Sequence, residues 1–258
     1  MNVLVFDIET VPDVDSGRRL YNLDGLSDED VAKSMYQLRR QQANGSEFLR
    51  HHLHQIVAIS VTLRNSDSFK VWSLGDEDSD EKEILQRFFA GLDRYTPTIV
   101  SWNGGGFDLP VIHYRSLLQG VVAPRYWDHG NDDRDFKYNN YLNRFHDRHT
   151  DLMDVLAAYQ MRANAPLDEI ASMCGFPGKM GMSGAKVWDE YANGNIKGIR
   201  DYCETDVLNT YLVYLRYELI RGVLSESQYA VETQLVRDVL EEKNEKHTNE
   251  FLQHWKKD

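Results

Sequence analysis

Short apolar runs alternate along the chain with segments of helical periodicity. Residues 2–6 are Asn-Val-Leu-Val-Phe, a mostly apolar run that predicts a strand buried on both faces. Strand patterns recur at 55–63 and 68–74, and the turn residues Asn-Ser-Asp at 65–67 lie between them, which predicts a hairpin. We expect the first strand to pair with this hairpin. A further short buried strand is predicted at 98–102.

Apolar residues at helical spacing fill much of the remaining chain. They predict helices at 81–92, 109–119, 151–162, 167–174 and 196–221, followed by a charged helical tail from residue 225 onward. A glycine-rich loop is predicted at 175–184, and residues 124–150 show too little periodicity to predict an element. Strands and a hairpin, followed by alternating strand and helix, favour an α/β fold with a central mixed sheet flanked by helices.

Residues 13–53 interrupt this pattern with a polar segment that is helical in part. Ser27 followed by Asp30 is typical of a helix start, and apolar residues at helical spacing continue this helix through Leu38. We interpret the segment as an insertion between the first two strands.

The chain is long enough for one large domain. Its 258 residues are 41% apolar, which is sufficient for a full hydrophobic core. We expect a single α/β domain over residues 1–222, including the insertion at about 13–53. Residues 223–258 are expected to be a C-terminal helical extension of the same domain.

The charge of the chain limits how it can bind nucleic acid. Lys and Arg total 29 against 41 Asp and Glu, so the net charge is −12, the wrong sign for nonspecific binding of nucleic acid by charge. Any such contact should be local or metal-assisted. Only Cys174 and Cys203 occur, which argues against a disulfide framework and suits a reducing compartment. The start of the chain reaches an acid too early for a signal peptide, and no apolar run approaches the ~20 residues of a membrane span. We expect a cytoplasmic protein that does not enter membranes.

Three acidic motifs lie far apart in the chain. Asp7 and Glu9 follow the first strand, Asp108 follows a three-glycine run after a later strand, and Tyr202 and Asp206 lie in the long helix. Residues two apart in a strand point the same way, and residues four apart in a helix share a face. These three elements can therefore bring four carboxylates and a tyrosine to one point.

Such a set of oxygen ligands favours Mg²⁺ or Mn²⁺ over zinc. Four carboxylates at −1 balance two divalent ions, and a pair of ions about 4 Å apart can hold a phosphodiester. Tyr202 has a phenol that stays protonated near neutrality, with a reference pKa of about 10, and can orient water or phosphate by a hydrogen bond.

The three motifs resemble those of the DEDD exonucleases, in their tyrosine-bearing DEDDy branch within the DnaQ-like superfamily. The pattern is Asp-x-Glu, then Asn-x-x-x-Phe-Asp, then Tyr-x-x-x-Asp, in that order. The histidine branch would need a histidine at position 201, which is Asp201. The segments at 54–60, 151–153 and 167–171 are also similar to the exonuclease domain of family-B DNA polymerases and its stand-alone bacterial relatives. The resemblance covers roughly residues 1–222.

The resemblance implies a ribonuclease-H-like fold and 3′-to-5′ hydrolysis of single-stranded DNA or unpaired 3′ ends, with release of nucleoside 5′-monophosphates. It also implies that Asp7, Glu9, Asp108 and Asp206 bind two Mg²⁺ or Mn²⁺ ions and that Tyr202 positions the attacking water. An exoribonuclease with the same chemistry is an alternative, because contacts to the 2′-hydroxyl cannot be placed from the sequence. A noncatalytic nucleic-acid-binding module is the other, and protein partners are not predicted.

A few further residues have both a functional and a structural interpretation. Asp151 lies where many DEDD enzymes carry another acid, but it can equally cap the helix that follows. Lys179, Ser183 and Lys186 could approach a substrate phosphate, although solvated side chains on a surface loop are the favoured interpretation.

Two clusters of aromatic and basic residues are similarly ambiguous. Basic and aromatic side chains interleave over 124–150, which suits either the stacking of nucleic-acid single strands or core packing. The members are Arg125, Tyr126, Trp127, Arg134, Phe136, Lys137, Tyr138, Tyr141, Arg144 and Phe145. His51, His52 and His54 have the composition of a metal site, but we favour a structural role because adjacent strand residues point to opposite faces.

Overall fold

The computed structural model of the protein describes residues 2–256. Within these residues one sheet is formed by β1 (Val3–Pro12), β2 (His54–Arg64), β3 (Phe69–Ser73), β4 (Thr98–Ser101) and β5 (His149–Asp151). The helices are α1 (Val14–Tyr21), α2 (Asp28–Gln42), α3 (Glu81–Tyr95), α4 (Asp108–Gln119), α5 (Leu152–Leu156), α6 (Leu167–Met173), α7 (Val187–Ala192), α8 (Ile196–Ile220), α9 (Glu226–Lys243) and α10 (Lys246–His254).

The sheet is mixed, with strand order β3-β2-β1-β4-β5. β1, β2 and β3 pair antiparallel, whereas β4 pairs parallel with both β1 and β5. The predicted hairpin, its pairing with the first strand and the mixed character of the sheet are confirmed.

β1 is longer than its apolar run predicts. The sequence places the first acidic motif just after a strand that ends at residue 6, but β1 continues to Pro12 because β2 pairs with it along its whole length, as far as His54. Pairing with β4 stops at Val5. Asp7 and Glu9 therefore lie within the strand, where β1 has only one neighbour and its other edge is open.

The structure contains one strand that no sequence pattern predicts, and one predicted helix is wrong. β5 is absent from the predicted elements because three residues give no recognisable alternation. The helix predicted over 151–162 is reduced to α5, which stops before Ala158 and Tyr159 at φ of 49° and 60°. Consecutive residues in this left-handed region cannot continue an α-helix.

The sheet separates two cores. Even-numbered residues of β1, such as Phe6 and Ile8, pack with α3 and α4, whereas Val3 and Val5 pack with α8, α9 and α10. Since side chains alternate along a strand, Asp7 and Glu9 lie on the same face as Val5, towards α8.

The polar segment after β1 folds as α1 and α2 around a small core of its own. Val31 and Met35 of α2 pack there with Leu49 and Leu53. The predicted cap is present, since the Ser27 side chain accepts a hydrogen bond from the Asp30 backbone N–H. This segment forms a wall next to the open half of β1.

The long predicted helix is α8, and the charged tail forms α9 and α10 against it. Arg64 of β2 binds Glu232 of α9 at 2.7 Å, which ties this end of the chain to the sheet. None of the helices within residues 2–256 combines the length and the apolarity that a membrane crossing requires.

Candidate active site

β1 and α8 bring together residues that are almost 200 positions apart in the sequence. One ligand atom each of Asp7, Glu9 and Cys203 lies within 4.8 Å of the others. The buried Cys203 thiol donates to the backbone oxygen of Asp7 at 3.4 Å and approaches its carboxylate Oδ2 at 3.7 Å. Sequence reasoning missed Cys203, although its position three residues before Asp206 places it on the same helix face.

Asp108 reaches the same point from the second motif. It opens α4 and is only 4% exposed, and its Oδ1 accepts a hydrogen bond from the Ile8 backbone N–H at 3.2 Å. The charge of Asp7 interacts with Asp108, Glu9 and Asp206. The structure therefore brings the four predicted carboxylates into one cluster.

The carboxylates of this cluster hold protons more tightly than isolated acids do. Burial, followed by the charges of the neighbouring carboxylates, raises the pKa of Asp7 and of Glu9 well above the ordinary range. Burial raises the pKa of Asp108 to about 7, although the Ile8 N–H opposes the shift, and that of Asp206 to about 6. This arrangement of repelling oxygen ligands fits divalent cations, because their charge would remove the repulsion.

Tyr202 lies beside the cluster on the same face of α8 as Asp206. Burial and then the charges of Asp206 and Glu9 raise the pKa of its phenol far above the usual value. The phenol therefore keeps its proton at any pH at which the protein works, and it acts as a hydrogen-bond donor rather than as a base.

Lys179 approaches the site more closely than expected of a loop lysine. It is exposed, but it lines a cleft of about 100 Å³ with Tyr202 and Asp206, and its charge lowers the pKa of both Asp206 and Glu9. Lys186 is exposed just before α7, in keeping with the favoured interpretation, and Ser183 is half-buried.

Asp151 is both a helix cap and an anchor for the glycine run. Its Oδ1 accepts from the backbone N–H of Asn103 at 2.9 Å, its Oδ2 from that of Gly105 at 2.8 Å, and Oδ1 also from Asp154 at the start of α5, at 3.5 Å. The run packs tightly here, since a Cβ on Gly104 would lie 2.3 Å from the Ser101 Oγ. Asp151 therefore fixes the loop that delivers Asp108.

Asp151→Ala should loosen this loop and lower kcat about tenfold, with a loss of about 1–2 kcal/mol in unfolding free energy, because two partly buried N–H groups lose their acceptor. Asp151→Asn keeps an acceptor oxygen and should recover part of both. Urea unfolding and steady-state kinetics measure the two effects. Full activity in the alanine variant would show that Asp108 is placed without this anchor.

Two clefts flank the cluster. One, of about 460 Å³, is lined by Asp7, Asp108 and Trp102 among others. The second, of about 580 Å³, is lined by Glu9 of β1, by Phe48 and other residues of the polar segment, and by residues of α7. Ile8 and Phe107 line both, so that the two clefts adjoin at the carboxylates. Together they form a groove with aromatic walls on either side of the acidic centre.

The histidine and aromatic clusters are largely structural. The His51 ring contacts the backbone oxygen of Gly106 at 2.9 Å, whereas the buried His54 contacts Thr10 at 2.9 Å. His52 packs edge-on against Tyr114. Each of the three histidines thus has a structural contact of its own, in keeping with the favoured structural role.

The aromatic residues of 124–150 divide into two groups. Tyr126, Phe136 and Tyr141 are buried in the core next to α3 and α4, as core packing predicts, whereas Tyr138 and Phe145 are exposed. Core packing therefore accounts for the buried members, and the exposed ones remain available to solvent.

Comparison with known proteins gives a family. A family model described as "Predicted 3'-5' exonuclease related to the exonuclease domain of PolB" matches residues 46–255, so that the first acidic motif precedes the matched range. No curated protein matches the chain. The chain is similar in structure to the family B DNA polymerase from the hyperthermophilic archaeon Pyrobaculum calidifontis, at 18% identity and a TM-score of 0.49. That similarity covers 85% of this chain and 24% of the polymerase, so the chain spans about a quarter of that protein's length. The family and the mixed sheet with flanking helices confirm the predicted α/β, ribonuclease-H-like fold.

Proposed function

The chain belongs to the family of predicted 3′-5′ exonucleases related to the exonuclease domain of PolB, and from this premise we propose that it degrades single-stranded DNA from its 3′ end. Each step hydrolyses the terminal phosphodiester and releases a nucleoside 5′-monophosphate. The observation that carries the proposal is the meeting of Asp7, Glu9, Asp108 and Asp206 beside a protonated Tyr202.

Exonuclease domains of this kind use divalent metals, and the mutual repulsion of the four carboxylates suits them. Asp7, Glu9, Asp108 and Asp206 would hold two Mg²⁺ or Mn²⁺ ions. When bound, such ions activate a water molecule and stabilise the leaving oxygen of a phosphodiester. The chain contributes Glu9 and Asp108 from buried positions and Asp7 and Asp206 from half-buried ones, and the Ile8 N–H holds Asp108 in place.

The remaining side chains orient the substrate. Tyr202 can donate its phenol proton in a hydrogen bond to the attacking water or to the scissile phosphate, and Lys179, which lines the same small cleft, can balance the phosphate charge. Phe107 and Trp102 offer apolar ring surfaces beside the carboxylates, which suits unpaired bases because stacking does not depend on their sequence. A net charge of −12 favours such local contacts and rapid release over tight holding.

Oligonucleotides labelled at the 3′ or the 5′ end, as DNA and as RNA, test this proposal. With Mg²⁺ or Mn²⁺, a 5′-labelled DNA strand should shorten stepwise, a 3′-labelled strand should release labelled mononucleotide at once, and a chelator should stop both. Preference for RNA would replace the DNA assignment with an exoribonuclease. Tight binding with no cleavage in either metal would refute the enzyme and favour a binding module.

Tyr202→Phe should lower kcat about 100-fold with little change in KM, because it removes one hydrogen bond that is needed in the transition state. Tyr217→Phe, on the same helix but outside the site, is the control and should retain wild-type rates. Single-turnover cleavage of a short DNA strand measures the effect. A large rise in KM with unchanged kcat would assign Tyr202 to ground-state binding instead.

A further inference from the structure

A second group of metal-ligand side chains lies where α10 packs on α8, outside the carboxylate cluster of the active site. It contains Asp201 of α8, Glu245 at the N-cap of α10 and His247 within α10. One ligand atom of each lies within 4.8 Å of the other two. His247 is the buried member, with a side chain that is 9% exposed.

One side of the His247 ring is fixed by a hydrogen bond. Its Nε2 lies 3.0 Å from Glu204 Oε2, and the same oxygen accepts from Lys243 Nζ at 2.6 Å. Glu204 Oε2 therefore accepts from Nε2, which leaves Nδ1 on the other side of the ring, directed away from Glu204.

That Nδ1 is buried and has no hydrogen-bond partner within residues 2–256. It faces Asp201 Oδ1 at 3.4 Å and Glu245 Oε2 at 3.6 Å, both too long for a normal N–H···O hydrogen bond, which is about 2.7–3.2 Å. With its proton on Nε2, the imidazole presents a lone pair at Nδ1, and a cation placed between this nitrogen and the two carboxylates would contact all three ligands. Ligands of one tetrahedral zinc ion, at bond lengths of about 2.0–2.1 Å, are separated by about 3.4 Å.

We propose that His247 Nδ1, Asp201 and Glu245 form a binding site for one Zn²⁺ ion, with water as the fourth ligand. An imidazole nitrogen with two carboxylates suits zinc rather than Mg²⁺, which prefers oxygen ligands alone. Glu204 supplies the carboxylate that metal-ligating histidines usually hold through their other nitrogen.

The lysine side chains that already contact Asp201 and Glu245 leave room for a metal ion. Lys197 contacts both oxygens of Asp201 at 2.8 Å, but its side chain is 61% exposed and can move into solvent when an ion binds. Lys243 contacts Glu245 at 3.3 Å while keeping its shorter bond to Glu204. The bound ion would fasten α10 to α8 one residue before Tyr202.

Cobalt and zinc titration of the full-length protein in millimolar Mg²⁺ tests the site, since excess Mg²⁺ competes for the oxygen ligands of the active site. Wild type should bind one equivalent of Co²⁺ with the visible absorption of a tetrahedral site, and Zn²⁺ should displace it. His247→Ala should weaken binding at least about 100-fold, because even loss of a supporting partner costs up to that much. His254→Ala, on the same helix, should bind as wild type does.

Glu245→Gln is a second variant that should keep the fold intact, since the Glu245 side chain is 46% exposed. It should weaken Zn²⁺ binding about tenfold or more while the melting temperature without metal stays within a few degrees. Equal binding by His247→Ala and wild type, or no Mg²⁺-resistant equivalent in wild type, would overturn the site and leave His247 as a protonated ion-pair partner. The readout is metal content and absorption, so it stands whether or not the protein cleaves DNA.

Discussion

Replacing Asp7 with asparagine should lower exonuclease activity by at least about 10³-fold. Asp7 is the central member of the carboxylate cluster, because its charge interacts with those of Glu9, Asp108 and Asp206. Asparagine keeps the shape of the side chain and removes the charge, so the variant loses a ligand that no neighbour replaces. Single-turnover digestion of a 5′-labelled DNA strand measures the loss.

The same substitution should not destabilise the fold. In a chelator the four carboxylates repel one another in a buried setting, so the removal of one charge should leave the melting temperature of Asp7→Asn equal to or above that of wild type. Asp93→Asn, on the exposed face of α3, removes one negative charge away from the site and should change neither property. Activity within tenfold of wild type in Asp7→Asn would refute the assignment, and a large drop in melting temperature would show a structural role instead.

The pairing of carboxylates within each motif could be predicted because it depends on local geometry. The two-residue repeat of a strand aligns Asp7 with Glu9, and the helical repeat aligns Tyr202 with Asp206. The length of β1 could not be predicted in this way, since its second half is held by pairing with β2 rather than by its own apolar residues. Its irregular register between Glu9 and Thr10 likewise arises from this pairing, and such bulges are common next to active sites.

Contacts between distant segments account for the other features of the site that the sequence does not predict. The interaction of Lys179 with Glu9 joins a loop to a strand about 170 residues away, and no local pattern marks it. The cleft wall from Phe48 and Trp188 exists only because the polar segment after β1 folds next to α7. His247 has ordinary neighbours in the sequence, and its unpartnered nitrogen becomes visible only when α10 is placed on α8.

Arg115→Ala should cause the largest loss of stability, about 3–5 kcal/mol in unfolding free energy. Arg115 is 4% exposed and binds two buried carboxylates: Glu81 through Nε at 2.7 Å and Nη2 at 2.6 Å, and Asp13 through Nη1. Glu81 also accepts from the Ile56 backbone N–H at 2.7 Å. Removal of the guanidinium leaves two buried charges without their cation, where the end of β1, β2, α3 and α4 meet. Urea unfolding at neutral pH measures the loss, and Arg19→Ala on the exposed side of α1 should stay within about 0.5 kcal/mol of wild type.

The pH dependence distinguishes this mechanism from simple loss of packing. Burial raises the pKa of Asp13, but hydrogen bonds from Ser16 and the charge of Arg115 outweigh it and lower the pKa in wild type. A lowered folded-state pKa contributes stability above the unfolded value of about 4 that is lost as the pH falls through the folded value. Without Arg115, burial should raise the pKa of Asp13 above its unfolded value, and the carboxyl then gains a proton on folding as the pH falls. The destabilisation of Arg115→Ala should therefore be largest near pH 7.5 and smaller near pH 4.5. A pure packing defect would lower the unfolding free energy equally at both pH values. An equal loss at the two pH values would contradict the ionic account.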